Sequence, residues 1–122
     1  MAIQLNMIRE TESARIFMGY LLKQAIVLGA DDTFIISNFA PSFKIDGKLV
    51  PQFAEKLTAE QSKLMVYAVM NDHQRRIYDS EKEVNFAIGH PDGGRFRVNA
   101  YHEQGNCAMV LRKININVFY TR

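Results

Sequence analysis

The sequence predicts an α+β domain built on an antiparallel sheet of about six strands, with one N-terminal helix and two further helices. Three observations point there. Apolar residues recur at three and four near the N-terminus, a helix-capping signature opens a second helical stretch in the middle, and β-rich alternating runs lie on either side of that stretch. The order is helix, three strands, two helices, three strands. Each link between strands is short, or helical only once, and such links favour antiparallel neighbours. A chain of 122 residues, 48% hydrophobic, suits one domain. At this size roughly two-thirds of the unfolded surface can be buried without covalent staples.

Residues 1–12 show no period and read as an ordered arm or a frayed end. From about Ser13 to Leu28, Phe17, Tyr20, Leu21, Ala25 and Leu28 mark one buried helix face. Gly29 then stands where a left-handed C-terminal cap is expected. Thr33-Phe34-Ile35-Ile36 is the first strand, and Ala40-Pro41 breaks it. Phe43-Lys44-Ile45 and Lys48-Leu49-Val50 flank Asp46-Gly47, a strong hairpin signal, and Pro51 stops the second arm. Thr58 and Gln61 have capping-box spacing for a helix whose face is Leu64, Met65, Ala68 and Val69, ending near Asn71. Asp72 is the expected cap of a further helix through Ile77 and Tyr78. The last three strands fall at about Glu83 to Ile88, Arg95 to His102 and Asn106 to Ile114. They are joined by His90-Pro91-Asp92-Gly93-Gly94 and by Gln104-Gly105.

Composition excludes several functions. The single cysteine, Cys107, cannot form an internal disulfide, and no Cys/His spacing suits zinc. As a small hydrophobe on an inward strand face it is expected in the core. No apolar run approaches the ~20 residues of a membrane helix, and the first residues lack a signal peptide's pattern, so a cytoplasmic location is expected. A net charge of +2, with one modest concentration at Arg95, Arg97, Arg112, Lys113 and Arg122, does not support a nucleic-acid partner. His73, His90 and His102 lie far apart on different expected elements. They read as solvated or locally bonded imidazoles rather than metal ligands.

No phosphate-binding loop G-x-x-x-x-G-K-[ST] occurs in the sequence, so this chain by itself is not expected to be an enzyme or to hold a nucleotide. The informative segment is Arg95-Phe96-Arg97-Val98-Asn99-Ala100-Tyr101, answered by Cys107-Ala108-Met109-Val110-Leu111-Arg112. Strand alternation puts Phe96, Val98 and Ala100 on one face and Arg95, Arg97, Asn99 and Tyr101 on the other. A turn centred on Gln104-Gly105 sets Val98 opposite Leu111 and Ala100 opposite Met109, which joins the apolar faces. A one-residue slip would mix them with arginines. That register also sets Arg97 opposite Arg112, and facing like charges cost up to ~1 kcal/mol on a sheet. Either nearby carboxylates such as Glu83 or Asp92, or solvent, offset the repulsion, or the two forks converge on an anion such as phosphate. An odd-length loop would separate the two arginines.

Read together, several stretches resemble the N-terminal region of the PilT/PilU family of type IV pilus retraction ATPases. They are Gly29-Ala30-Asp31-Asp32, Ala40-Pro41-Ser42-Phe43-Lys44-Ile45-Asp46-Gly47-Lys48, and Val69-Met70-Asn71-Asp72-His73-Gln74-Arg75-Arg76. Asn85-Phe86-Ala87-Ile88, Arg95-Phe96-Arg97-Val98-Asn99-Ala100-Tyr101 and Val110-Leu111-Arg112-Lys113-Ile114 complete the set. Phe34, where PilT-like sequences usually carry His, and the Asn85–Ile88 run lean to the PilU side. Ala40-Pro41 replaces the family's usual Pro-Pro.

The resemblance implies a PAS-like N-terminal domain over 14–114, an N-terminal extension over 1–13, and a tail or linker start over 115–122. It further implies a non-catalytic module of a hexameric twitching-motility ATPase, packed on a neighbouring subunit's motor domain and cytoplasmic, with the inner-membrane pilus machinery as partner. Carried over by position, Arg97 and Arg112, with Arg95 beside them, would reach the nucleotide phosphates in trans. ATP and Mg²⁺ would then be held with the motor domain and not by this chain alone, and the resemblance favours the anion reading of the arginine pair. A standalone PAS-like sensor or adaptor is the competing reading; it requires an enclosed apolar cavity, which sequence does not reveal.

Overall fold

The structure, a computed structural model, describes residues 3–114. Its elements follow the expected order: α1 (Thr11–Leu28), β1 (Asp32–Ile36), β2 (Ser42–Ile45), β3 (Lys48–Pro51), α2 (Ala59–Ala68), α3 (Asp72–Glu81), β4 (Val84–Gly89), β5 (Arg95–Glu103) and β6 (Asn106–Lys113). The sheet is antiparallel throughout, in the order β3-β2-β1-β6-β5-β4. It consists of two three-stranded meanders joined where β1 pairs with β6. That central seam brings residues 72 to 80 positions apart side by side, Asp32 against Arg112 and Ile36 against Ala108.

One sheet face carries the core. Thr33 and Ile35 of β1, Phe43 of β2, Phe96, Val98 and Ala100 of β5, and Met109 and Leu111 of β6 are buried there. α1 and α2 pack on each other over this face, α2 reaches β6 and β1, and α3 leans on β4. The buried face of α1 is Ala14, Phe17, Met18, Leu21, Leu22 and Ala25. Tyr20 and Leu28, expected on it, are instead 45% and 42% exposed, because the contact stripe runs one position further round the helix. On α2 the fully buried positions are Ser62, Met65, Val66 and Ala68, with Leu64 and Val69 at the margin.

The ends of the helices show where local chemistry decides. α1 starts at Thr11, two residues before the expected start at Ser13, whose Oγ accepts from the Glu10 N–H at 3.0 Å. Gly29 closes it in the left-handed region (φ 69°). Thr58 and Gln61 form the expected reciprocal pair at the head of α2. α3 is capped by Asn71 rather than Asp72: the Asn71 side-chain oxygen accepts from Gln74 N–H at 2.8 Å, and Gln74 Oε1 accepts from Asn71 N–H at 2.9 Å. Upstream of α1, a short 3₁₀ turn over Leu5–Met7 lays Leu5 and Ile8 into the core, and Gln61 Nε2 donates to the Leu5 carbonyl at 3.1 Å. The expected tail, 115–122, and Arg122 lie outside the described residues.

Candidate functional site

The β5–β6 hairpin turns on two residues, Gln104 (φ 50°) and Gly105 (φ 81°), both left-handed. Gly105 takes that conformation without the steric cost of a Cβ, and a two-residue turn keeps the register even. Val98 accordingly faces Leu111, Ala100 faces Met109, and Arg97 faces Arg112. Burial alternates along β5 as expected, with Arg95 and Arg97 exposed and Phe96, Val98 and Ala100 inside.

On the outer face the pairing extends into a continuous row across five strands. Lys44 stands opposite Asp32, Asp32 opposite Arg112, Arg112 opposite Arg97, and Arg97 opposite Ala87. The Arg97–Arg112 repulsion is therefore met by a carboxylate, and that carboxylate is Asp32. Arg112 donates from Nε to Asp32 Oδ1 at 2.9 Å and from Nη2 to Oδ2 at 3.4 Å. The Asp32 side chain is 5% exposed and that of Arg112 70% exposed. The hydrogen bond to Asp32 raises the Arg112 guanidinium above its ordinary pKa, so the fork carries its charge at every relevant pH. Glu83 and Asp92, the carboxylates expected from sequence, serve elsewhere. Glu83 accepts from Asn99 Nδ2 at 3.4 Å, and Asp92 lies 3.8 Å from Lys23 Nζ.

Arg112 uses its Nε–Nη2 edge on Asp32 and keeps Nη1 free of that pair. Among the described residues no carboxylate lies within ion-pairing distance of Arg97 or Arg95. Arg95 is the next outward residue on β5, set against Gly89 of β4. Beside Arg112 an open depression of about 300 Å³ is lined by Asp31, Asp32, Lys44, Arg112 and Lys113. The structure thus gathers Arg97 and Arg112, sets Arg95 one step along, and adds Asp32 and Lys44, which sequence reasoning missed. Asp32 belongs to the Gly29-Ala30-Asp31-Asp32 stretch, but its role depends on the β1–β6 seam, which no local pattern announces.

Two of the three histidines and two tyrosines are bonded locally, while His73 is exposed on α3. His90 Nδ1 accepts from the Asp92 N–H at 3.0 Å, which leaves Nε2–H to donate to the Gly19 carbonyl at 2.9 Å. His102 stacks on Tyr78 at 4.6 Å and bonds the Lys82 carbonyl through Nδ1. Tyr78, fully buried, donates to the Tyr101 carbonyl at 2.7 Å, and burial drives its hydroxyl far above the ordinary tyrosine range. Burial first, and then the bond to Asp79, push Tyr67 up to about 12. Cys107 is buried near the start of β6, as expected of a core residue.

Sequence and structure comparisons converge on one group of proteins. The sequence is 39% identical over 98 residues to the type IV pilus ATPase PilU of Pseudomonas aeruginosa, a match covering 80% of this chain and 26% of that protein. It is 34% identical over 94 residues to a twitching motility protein of Neisseria gonorrhoeae, covering 77% and 25%. The pilus retraction motor PilT, solved with bound ADP, superposes with a TM-score of 0.75 at 29% identity, over 83% of this chain and 30% of that one. The ATPase DotB of Legionella pneumophila shares the fold, with a TM-score of 0.71 at 22% identity over 83% and 29%. No family model matches. The chain spans about a quarter of the length of the curated relatives it matches.

Proposed function

This chain belongs to the type IV pilus retraction ATPase family, corresponding to its N-terminal domain on the PilU side, and from that premise we propose that it is the non-catalytic module of such a motor. In this reading it packs on the motor domain of a neighbouring subunit in a homo-hexamer, on the cytoplasmic side of the inner-membrane pilus machinery. Its outer sheet face supplies Arg97 and Arg112, with Arg95 beside them, to the phosphates of ATP bound by that motor domain. The observation that carries the reading is the arginine pair itself: two guanidinium forks held side by side on an exposed face, only one of them neutralised among the described residues. Planar forks of this kind match phosphate oxygens.

The chemistry asked of these residues is charge stabilisation. A fixed cation placed beside a transferring phosphoryl group lowers the barrier without joining the covalent step, and it ties turnover to the position of the domain that carries it. Nucleotide and Mg²⁺ are held by the motor domain in this reading.

The test is Arg97→Gln in a full-length protein in which a motor domain follows these residues. ATP turnover should fall by a factor on the order of a hundred or more, while residues 1–122 bearing the same change melt as the unaltered chain does. Turnover equal to that of the unaltered protein would remove the arginine from the mechanism.

A further inference from the structure

The charged row holds a third cation that the reading above leaves idle. Lys44 stands opposite Asp32 on β2 as Arg112 does on β6, so one carboxylate lies between two cations on the same face. Only Arg112 is bonded to it. Lys44 is exposed, and among the described residues it has no carboxylate within ion-pairing distance. Both cations line the same open depression beside Asp32.

Resting on the phosphate contact proposed for Arg97 and Arg112, we propose that Asp32 and Lys44 form an exchange pair that sets when Arg112 is available. Asp32 occupies Arg112 while no phosphate is present, and Lys44 takes over the carboxylate when Arg112 turns to phosphate. Three features support the exchange. The Arg112 side chain is 70% exposed, so its fork can swing outward without opening the core. Asp32 is 5% exposed, and a carboxylate so enclosed is costly to leave without a counter-charge. Directly opposed residues on a sheet have Cβ atoms about 4.5–5.5 Å apart, within reach of a flexible four-carbon lysine stem. The row therefore moves one cation onto the incoming anion and another onto the resident one, and no charge is stranded.

The experiment titrates inorganic tripolyphosphate into residues 1–122, following the arginine and lysine side-chain signals by NMR. Asp32→Asn should tighten binding up to about fivefold, since no carboxylate is left behind. Lys44→Met should weaken it by a similar factor in the unaltered background, and by less than about twofold when Asp32→Asn is already present. A Lys44→Met effect of equal size in both backgrounds would mean that lysine adds only general potential, and the exchange is wrong. Weaker binding by Asp32→Asn would also overturn it, by showing that Asp32 positions Arg112 instead of releasing it. Arg97→Gln separates the two levels. If it leaves affinity unchanged, or if no variant binds at tens of millimolar, the phosphate contact itself falls. If it weakens binding and Lys44 behaves identically in both backgrounds, only the exchange falls.

Discussion

At the scale of single residues, Arg97 and Arg112 look equivalent in sequence but are not equivalent in structure. Facing like charges on a sheet repel, so removing either one is expected from sequence to be neutral or slightly stabilising. That expectation holds for Arg97, which has no carboxylate partner among the described residues. For Arg112 it reverses, because the fork supplies both hydrogen bonds to an enclosed Asp32. Thermal melts of residues 1–122 should therefore give an unchanged or slightly higher Tm for Arg97→Gln and a lower one for Arg112→Gln. Adding Asp32→Asn to the latter should restore most of the loss. Phe96, on the inward face of the same strand and 1% exposed, should behave as a core residue: Phe96→Ala leaves a cavity and costs about 3–5 kcal/mol by chemical denaturation. A neutral Phe96→Ala beside a destabilising Arg97→Gln would mean that the faces of β5 are assigned backwards.

Among the elements, α3 depends on its first turn. It is ten residues long, too short to persist by propensity alone, and a single fully buried side chain, Tyr78, anchors it. The Asn71–Gln74 box meets donors that would otherwise be orphaned, so Asn71→Ala should cost about 1 kcal/mol while Asn71→Asp costs little. Equal losses in the two variants, measured by urea unfolding, would show that the cap is incidental. The same helix marks the boundary of what sequence shows. Its existence was legible from Ile77 and Tyr78, but Asn71 and Asp72 are both good caps, and only backbone geometry chooses between them. The β5–β6 register was legible to the residue because a two-residue turn and an alternating apolar face constrain it together. The Asp32–Arg112 contact was not, because strands 80 positions apart leave no local trace of their pairing. Tyr20 and Leu28 were misplaced on α1 for a related reason: a period defines a stripe's width poorly when Phe17, Met18, Leu21 and Leu22 are all apolar.

Considered whole, the domain has a surface that argues against self-association by this chain. A specific interface buries roughly 800 Å² on each partner, about a tenth of the 7505 Å² exposed here, usually centred on one apolar patch. The large apolar side chains exposed among the described residues are instead divided among Met7 before α1, Ile16, Tyr20, Val27 and Leu28 on α1, Phe39 after β1, and Leu49 and Val50 on β3; Met7, Ile16 and Tyr20 share a depression of only about 150 Å³. One sheet edge is also a poor template: β3 is four residues long and ends on Pro51, which lacks an N–H to donate. The outer face presents a row with more positive than negative charge, and two copies of it would repel. If the hexamer proposed for the full-length motor is held by contacts that need the motor domain, residues 1–122 should be a monomer or weak dimer at micromolar concentration. Light scattering coupled to size exclusion should then return a mass near 14.0 kDa. Raising salt should leave that mass unchanged, because the face that opposes association would be screened without any apolar patch being created. A stable hexamer from these residues alone would place the assembly determinants in this module and require an apolar interface that the distribution of exposed side chains does not provide.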